Sequence, residues 1–499
     1  MIVLKPEYIR EWELYTMNFQ GIDTLNLMEN AAQSVVNWLQ DSEYCHKSFI
    51  IFCGKGNNGG DGLAIARLLR QINKKVVVYI LENGKKGAHA FQHQLQLLRQ
   101  LDVEVHFYSI DHSLDLTDSD TIIIDALFGI GLNKPLTDLG AALVHRINQS
   151  PLLKISIDIP SGMYADRTSK GNIFIYANET LTFQCLKPAF LMSENAPGFG
   201  NVHVLNIELL NTYLSTLTTD YQIIDNNYLK LIHKKRKVFS HKGSHGHALM
   251  ITGSKGMMGA AVLSAKACMR SGIGKLSLLT PPGETQILQQ SIPEAICLNT
   301  ETTNQNIYNL DLSIYHSIGM GPGIGMDSIH QQLFETVFTR YKGHLLLDAD
   351  ALNYIAKYPS LLSSIPPSTI ITPHPKELER LFGKVSDDFE RLELIQRKAK
   401  ELNIIIVLKG KYTLIATPDS SLYVNYLFGN PGLAKAGTGD VLAGIITSFL
   451  GQGYNPVHAA CLGVALHAIA ADIALGKESV ESLLASDLID NLGKAFITL

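Results

Sequence analysis

One pattern recurs along this chain and leaves few folds open to it: a short apolar run, a turn of glycines or acids, then a segment with helical spacing. Residues 48–53 (SFIIFC) lead at once into GKGNNGGDG, then a helical stretch over 63–71 and a second apolar run over 75–81. Runs of Val, Ile and Phe without polar alternation read as strands buried on both faces, and strands joined through helices are parallel. The pattern returns at 121–125, 153–157, 180–183 and 202–207, and again between 248 and 408. It predicts two successive α/β units built on parallel sheets. A length of 499 residues also exceeds what one core organises. Residues 210–219 show neither clear periodicity nor charge, and a linker is read at 214–224, which sets the domains at 1–213 and 225–499.

In an open parallel sheet the carboxyl ends of the strands line the ligand crevice. The turn after 48–53 formally satisfies GxGxxG through Gly54, Gly56 and Gly59, and Glu82 stands where a dinucleotide fold places its ribose-binding acid. Asn57, Asn58 and Asp61 make this turn more polar than a redox fold requires. Later strands close on Asp125 and on Asp158-Ile-Pro-Ser161. Any of these is, taken singly, an ordinary turn residue, but Asn58, Asp125, Asp158 and Ser161 fall at strand ends and are expected around one pocket. Oxygen donors without Cys or His suit an alkali or alkaline-earth cation. Lys187, just after another strand, either faces that pocket or is solvated.

The second unit ends in NPGLAKAGTGD running straight into VLAGIITSFL. Gly432, Gly437 and Gly439 precede a helix whose first amides lack partners within it, an arrangement suited to phosphate or a developing oxyanion. Asp440 at that mouth either takes a proton from an attacking group or caps the helix. A net charge of −4 gives no field for nucleic acid, and the basic residues 233–237 read as a solvated face. Six scattered cysteines without a CxxC pair argue for reduced thiols and against zinc. No leader pattern opens the chain, and its most apolar stretch, 458–475, is interrupted by His467 and Asp472. A cytoplasmic protein without membrane or nucleic-acid partners is expected.

Several motifs in order carry a resemblance. Gly323 on a GPG turn, DAD at 348–350, PHP around His374, KG at 409–410 and the terminal GTGD resemble the ribokinase-like kinases, and among them the NAD(P)H-hydrate dehydratases. LMENAA at 27–32, GNNGGDG, DALFGIG and DIPSG resemble the NAD(P)H-hydrate epimerases, and the order resembles a fusion of the two over nearly the whole chain. The resemblance implies an N-terminal Rossmann-like three-layer domain followed by a ribokinase-like α/β domain. It implies epimerisation of R and S NADHX and NADPHX, then dehydration of the S form with ADP or ATP, giving AMP and phosphate.

By position, Asn57, Asn58, Gly59, Gly60, Asp61 and the loop Gly129, Ile130, Gly131, Leu132, Asn133, Lys134 and Pro135 would contact the hydrated cofactor. Asp158 would bind it and serve in acid–base work, while Asn58, Asp125 and Ser161 would hold potassium. In the dehydratase Ala260, Gly323, His374 and Asp440 would contact the hydrated cofactor. Lys409, Gly410, Lys411, Tyr412, Thr413 and Gly439 would hold the adenine nucleotide, with magnesium alongside. Asp440 would be the base. Lys376 and Lys435 depart from the family pattern, at positions without an implied role. A homo-oligomer is implied as well. The rival readings are a vitamin-precursor kinase fused to a Rossmann domain, and a non-catalytic binder, against which the presence of both Asp158 and Asp440 argues.

Overall fold

Two sheets, each with its own core, organise the chain. The computed structural model describes residues 1–82, 84, 86–110, 114–217, 219–281, 283–298, 310–327 and 330–499. One compact unit comprises Met1–Thr219 with Asp387–Phe389, the other Asp220–Ser386 with Glu390–Leu499.

The first unit holds β1 (Ser48–Cys53), β2 (Val76–Leu81), β3 (Glu104–Tyr108), β4 (Thr121–Ala126), β5 (Lys154–Ile157), β6 (Glu179–Phe183) and β7 (Asn201–Leu205). They lie in the order β3-β2-β1-β4-β5-β6-β7, every pairing parallel. Its helices are α1 (Pro6–Gln20), α2 (Thr24–Asp41), α3 (Asn57–Gln71), α4 (His89–Leu98), α5 (Asp138–Gln149) and the single turn α6 (Ala196–Phe199). Alternation along the strands builds three layers. Ile51 and Cys53 pack among α1, α2, α3 and α4, whereas Phe52 packs with Leu143, Val144 and Ile147 of α5. A reciprocal cap between Asp23 and Asn26 starts α2. Strand order reverses between β1 and β4, and a crevice opens at such a switch point.

The glycine-rich stretch is not the turn that the sequence pattern predicts. The helix begins at Asn57, directly after Gly56, so NNGGDG forms its first turns. The cause is a close approach: a Cβ on Gly59 would lie 1.7 Å from the Gly54 carbonyl oxygen. Gly59→Ala is therefore expected to destabilise this unit by roughly 1–3 kcal/mol or more, the cost of overpacking a site that cannot widen. Urea denaturation followed by the fluorescence of Trp12 and Trp38, the chain's two tryptophans, reports this unit alone. An unchanged midpoint would mean that the helix can slide.

The second unit begins with β8 (Tyr221–Ile223) and α7 (Asn226–Ile232), followed by β9 (His247–Ile251), α8 (Met258–Arg270), β10 (Lys275–Leu279), α9 (Thr285–Ser291) and β11 (Ile296–Leu298). Next come β12 (Ser317–Met320), α10 (His330–Arg340), β13 (His344–Leu347), α11 (Asp350–Lys357), β14 (Ile370–Ile371), α12 (Pro375–Phe382) and α13 (Asp388–Leu402). The unit closes with β15 (Ile405–Leu408), β16 (Thr413–Ala416), β17 (Leu422–Asn425), α14 (Thr438–Gly451), α15 (Pro456–Ala474) and α16 (Ala485–Ile497). The sheet order is β11-β10-β9-β12-β13-β14-β15-β16-β17-β8, parallel except where β16 turns back against β15 and β17.

The stretch expected as a linker is partly structure, since its residues 221–223 are β8, paired with β17. Residue 218 lies outside the described residues. Ahead of β12 the chain makes a 3-10 turn, Leu312–Ile314. Residues 234–239 are exposed, as a solvated face requires. A helix apolar on all sides belongs at the centre of a core, and α14 is buried almost throughout. By length and composition α15 could cross a membrane, yet 78% of its apolar window is buried, against α14 and α16 among others. His467 on α15 is buried and bonds the Thr438 carbonyl at 2.9 Å. All six cysteines are free thiols.

Candidate active sites

At the switch point of the first sheet lies a cavity of about 920 Å³. Asn57, Asn58 and Asp61 of α3 line it, together with the loop Gly129, Ile130, Gly131, Leu132, Asn133, Lys134 and Pro135, and Asp158. Gly59 and Gly60 do not; they are packing glycines, Gly60 lying against Met28. Asp125 and Ser161 lie fully buried outside the lining. Asp125 accepts from Ser161 Oγ at 2.5 Å, from the Ser161 amide and Ser156 Oγ at 2.8 Å each, and from the Leu127 amide at 3.2 Å. Ser161 Oγ in turn accepts from the Phe128 amide at 2.8 Å.

Asn58 approaches the same turn, since a Cβ on Gly129 would lie 3.2 Å from its side chain. Both amide atoms of Asn58 are buried without a hydrogen-bond partner. Buried amides are rarely left so, and an ion that prefers oxygen would satisfy Asn58 Oδ1. Burial also holds the Asp125 carboxyl above its usual range despite the bonds it accepts, a cost that a nearby cation would relieve. The three oxygen donors thus fit a monovalent cation at the turn after β4.

The charges of the cavity are unevenly paired. Asp158 adopts a left-handed backbone (φ 66°) just past β5. Lys187, its side chain 1% exposed, donates to Asp158 Oδ1 at 2.5 Å, Thr182 Oγ1 at 2.6 Å and the Phe183 carbonyl at 3.1 Å. The lysine therefore faces the pocket and is not solvated. Burial, then Asp158 and Glu13, push Asp61 well above the carboxylate range. Glu13, on α1, is pushed up to about 7 by burial and by Asp158, with Lys187 and Arg10 pulling the other way. Glu82 lines the cavity but pairs with Lys55 and accepts the Gly84 amide at 2.8 Å, so its carboxylate ties turns together. Sequence reasoning missed Glu13 and Arg10. The available signal was a carboxylate spaced with Ile9 and Thr16, on the helix face those residues bury.

In the second unit the mouth of α14 is the focus. Gly437, left-handed at φ 90°, is the N-cap, so Gly439 and Asp440 lie within the first turn and Asp440 does not cap. Gly439 lies beside an ion pair: a Cβ there would be 3.5 Å from Lys409 Nζ and 4.0 Å from Asp348 Oδ2. Lys409 donates to Asp348 Oδ1 at 2.9 Å, with Glu377 at 3.8 Å, and Asp348 also accepts from Thr372 Oγ1 at 2.7 Å. Burial alone would lower Lys409, but Asp348 and Glu377 overcome it and hold the ammonium above its ordinary value. Asp440 is pushed up to about 7 by burial, Asp348 and Asp350, with Lys409 opposing.

A cavity of about 550 Å³ opens beside this turn, lined by His374, Lys409, Gly410, Lys411, Thr413 and Gly439 among others. Tyr412 is not in the lining and stacks on Tyr426 at 4.6 Å. His374 caps α12, its Nδ1 accepting from the amides of Lys376 and Glu377. Across the β9–β12 switch point, a Cβ on Gly323 would meet Ala260 Cβ at 3.0 Å, which puts these two expected substrate contacts side by side. Lys435, one of the departures, donates to the Glu481 carbonyl at 2.5 Å.

Comparison with known proteins agrees with this division. The YjeF-related protein N-terminus family matches residues 24–189, and the NAD(P)H-hydrate dehydratase family matches 248–494. The bifunctional NAD(P)H-hydrate repair enzyme Nnr of Moorella thermoacetica is 32% identical over 94% of this chain and 92% of its own length. That of Escherichia coli is 30% identical over 97% and 92%. Among solved structures, the ADP/ATP-dependent NAD(P)H-hydrate dehydratase of Bacillus subtilis, co-crystallised with ATP and Mg2+, is 34% identical. It aligns with 55% of this chain and 97% of its own at a TM-score of 0.50. A ribokinase-like superfamily protein of Enterococcus faecalis aligns with 56% of this chain at 27% identity and a TM-score of 0.51.

Proposed function

Because the chain belongs to the bifunctional NAD(P)H-hydrate repair enzymes, we propose that it returns hydrated NADH and NADPH to the reduced cofactors. The second unit removes water from the S epimer with ADP or ATP, and the first interconverts the R and S forms so that both are recoverable. The observation that carries the reading is Asp440 in the first turn of α14, beside a nucleotide-sized cavity walled by Lys409.

The chemistry follows from the leaving group. Hydroxide leaves the ring carbon C6 poorly, whereas phosphate leaves well. Asp440 takes the proton of the C6 hydroxyl as that oxygen attacks the terminal phosphoryl group of the nucleotide. Amides at the start of α14, without acceptors inside the helix, hold charge on the moving phosphoryl group. Lys409, fixed by Asp348, presents a permanent cation at the cavity wall. Phosphate then departs and the ring double bond returns.

Magnesium, which neutralises phosphate charge when bound, fits here without a protein cage. No group of three His, Cys, Asp or Glu among the described residues could hold a metal alone, and magnesium commonly takes one or two carboxylates with the phosphates. Asp348 and Asp350, the acids whose charge Asp440 feels, would supply them. In the first unit Asn57, Asn58, Asp61 and the loop at 129–135 hold the substrate, and Asp158 binds it at the reacting centre. The working form is proposed to be a homo-oligomer in the cytoplasm.

Mixed epimers of NADHX given ADP and magnesium should regain the near-ultraviolet absorbance of reduced nicotinamide, with free phosphate released. A stable phosphorylated product in place of phosphate would establish the kinase reading instead.

Potassium is expected to support the first unit, ordering the turn at 127–129 through Asn58, Asp125 and Ser161. Epimer equilibration should be faster in potassium than in a bulky organic cation at equal ionic strength, and Asp125→Ala should abolish the difference. Equal rates in both buffers for the parent chain would leave Asp125 as a buried structural acid.

A further inference from the structure

We propose that Glu13, carried by α1, hands the proton to the leaving hydroxyl in the first unit, while the Asp158 carboxylate, paired with Lys187, lies beside the ring. This rests on the epimerase reading of that unit. Glu13, Asp61, Asp158 and Lys187 all line one cavity. Arg10 on α1, Glu82 at the end of β2, and Lys134 and Asp138 in and after the loop complete its charged wall.

Lys187 is committed to Asp158 at 2.5 Å. Glu13 and Asp61 make no side-chain hydrogen bond or ion pair among the described residues. Three carboxyls therefore share one buried ammonium, with Arg10 the nearby cation on the α1 side. Like charges so enclosed cannot all ionise, and the unpaired acids keep their protons first. Burial and Asp158 push Glu13 up to about 7, whereas Asp61 is held well above the carboxylate range. Glu13, unpaired on the α1 wall of the cavity and pushed up to about 7, can give a proton and take it back near neutral pH.

The step balances without a co-reactant. The carbon that bears the hydroxyl also bears the ring nitrogen. Glu13 protonates the hydroxyl, the C–O bond breaks, and the nitrogen lone pair forms the C=N bond as water leaves. The Asp158 carboxylate offsets the positive ring. The planar ring then turns its opposite face toward Glu13, water adds there and returns its proton to the Glu13 carboxylate, giving the other epimer with no net change in protons or electrons.

The experiment is equilibration of separated NADHX epimers by the full chain across pH, with the uncatalysed rate subtracted. The parent rate should fall as pH rises through about 7, because the donor is lost as Glu13 ionises. Glu13→Gln should slow equilibration by about 100-fold or more and remove that limb, and Glu13→Asp should keep the limb at a reduced rate. Fluorescence melting of Trp12 and Trp38 reports whether each variant folds, and nucleotide-dependent dehydration should not change. A near-parent rate in Glu13→Gln overturns the proposal. So does a slow variant that keeps the limb, since Glu13 would then be structural and Asp61 the donor. If the parent chain dehydrates but never equilibrates the epimers, the epimerase reading itself falls.

Discussion

Asp440→Asn should lower nucleotide-dependent recovery of reduced cofactor by about 10²–10⁴-fold while leaving epimer equilibration at the parent rate. Asparagine keeps the shape of the group at the mouth of α14 and cannot take the proton. Because burial, Asp348 and Asp350 push Asp440 up to about 7, the parent should work poorly below that pH and rise to a plateau above it. The Asn variant should be flat across the same range. The linked effect on stability has the opposite sign. An acid raised on folding binds its proton more tightly in the folded chain, so the fold loses that stabilisation as pH climbs from the unfolded value toward about 7. At alkaline pH the inactive variant should therefore melt no earlier than the parent. Substantial recovery by the variant would remove Asp440 from the proton path.

Lys187→Met should destabilise the first unit by roughly 3–5 kcal/mol, the cost of stranding a buried carboxylate. Both partners are enclosed, the lysine side chain at 1% exposure and that of Asp158 at 11%, so solvent can take up little of the loss. The chain holds Asp158 in a left-handed conformation there, and losing the ammonium removes what anchors it. Tryptophan fluorescence during thermal melting reads the change in this unit alone. Adding Asp158→Asn to Lys187→Met should recover part of the loss, because the two residues share one interaction. A single variant that melts with the parent would mean that water replaces the lysine.

Much of both sites was legible because the chemistry of a parallel sheet concentrates at strand ends. Asp125, Asp158 and Asp348 announce themselves as polar ends of apolar runs, and Asp440 as the acid at the entry to an apolar helix. Boundaries were harder. Glycine reads as a turn, yet Gly59 and Gly439 are helical, and at Gly59 a Cβ is excluded because the Gly54 carbonyl comes close. Glu13 was easy to miss for a different reason. It belongs to a helix whose pattern is that of any amphipathic surface helix, and only tertiary packing turns it into the pocket. Lys187 stayed ambiguous because a lysine after a strand is solvated far more often than it is buried, and its acceptors lie at 158, 182 and 183.

The pairing of β8 with β17 bears on how this polypeptide emerges from the ribosome. These strands lie roughly two hundred residues apart in the chain, and the central helix α14 is translated after both. The first unit draws its strands and core from residues before 220, so it can close while the remainder is still being made. The second cannot complete its sheet edge or fill its centre until synthesis is nearly over. During that interval β9, β12 and β13 wait with one face uncovered, which is when aggregation threatens and chaperones are of most use. Premature termination before α14 would therefore release a competent isomerase tethered to an unfolded tail.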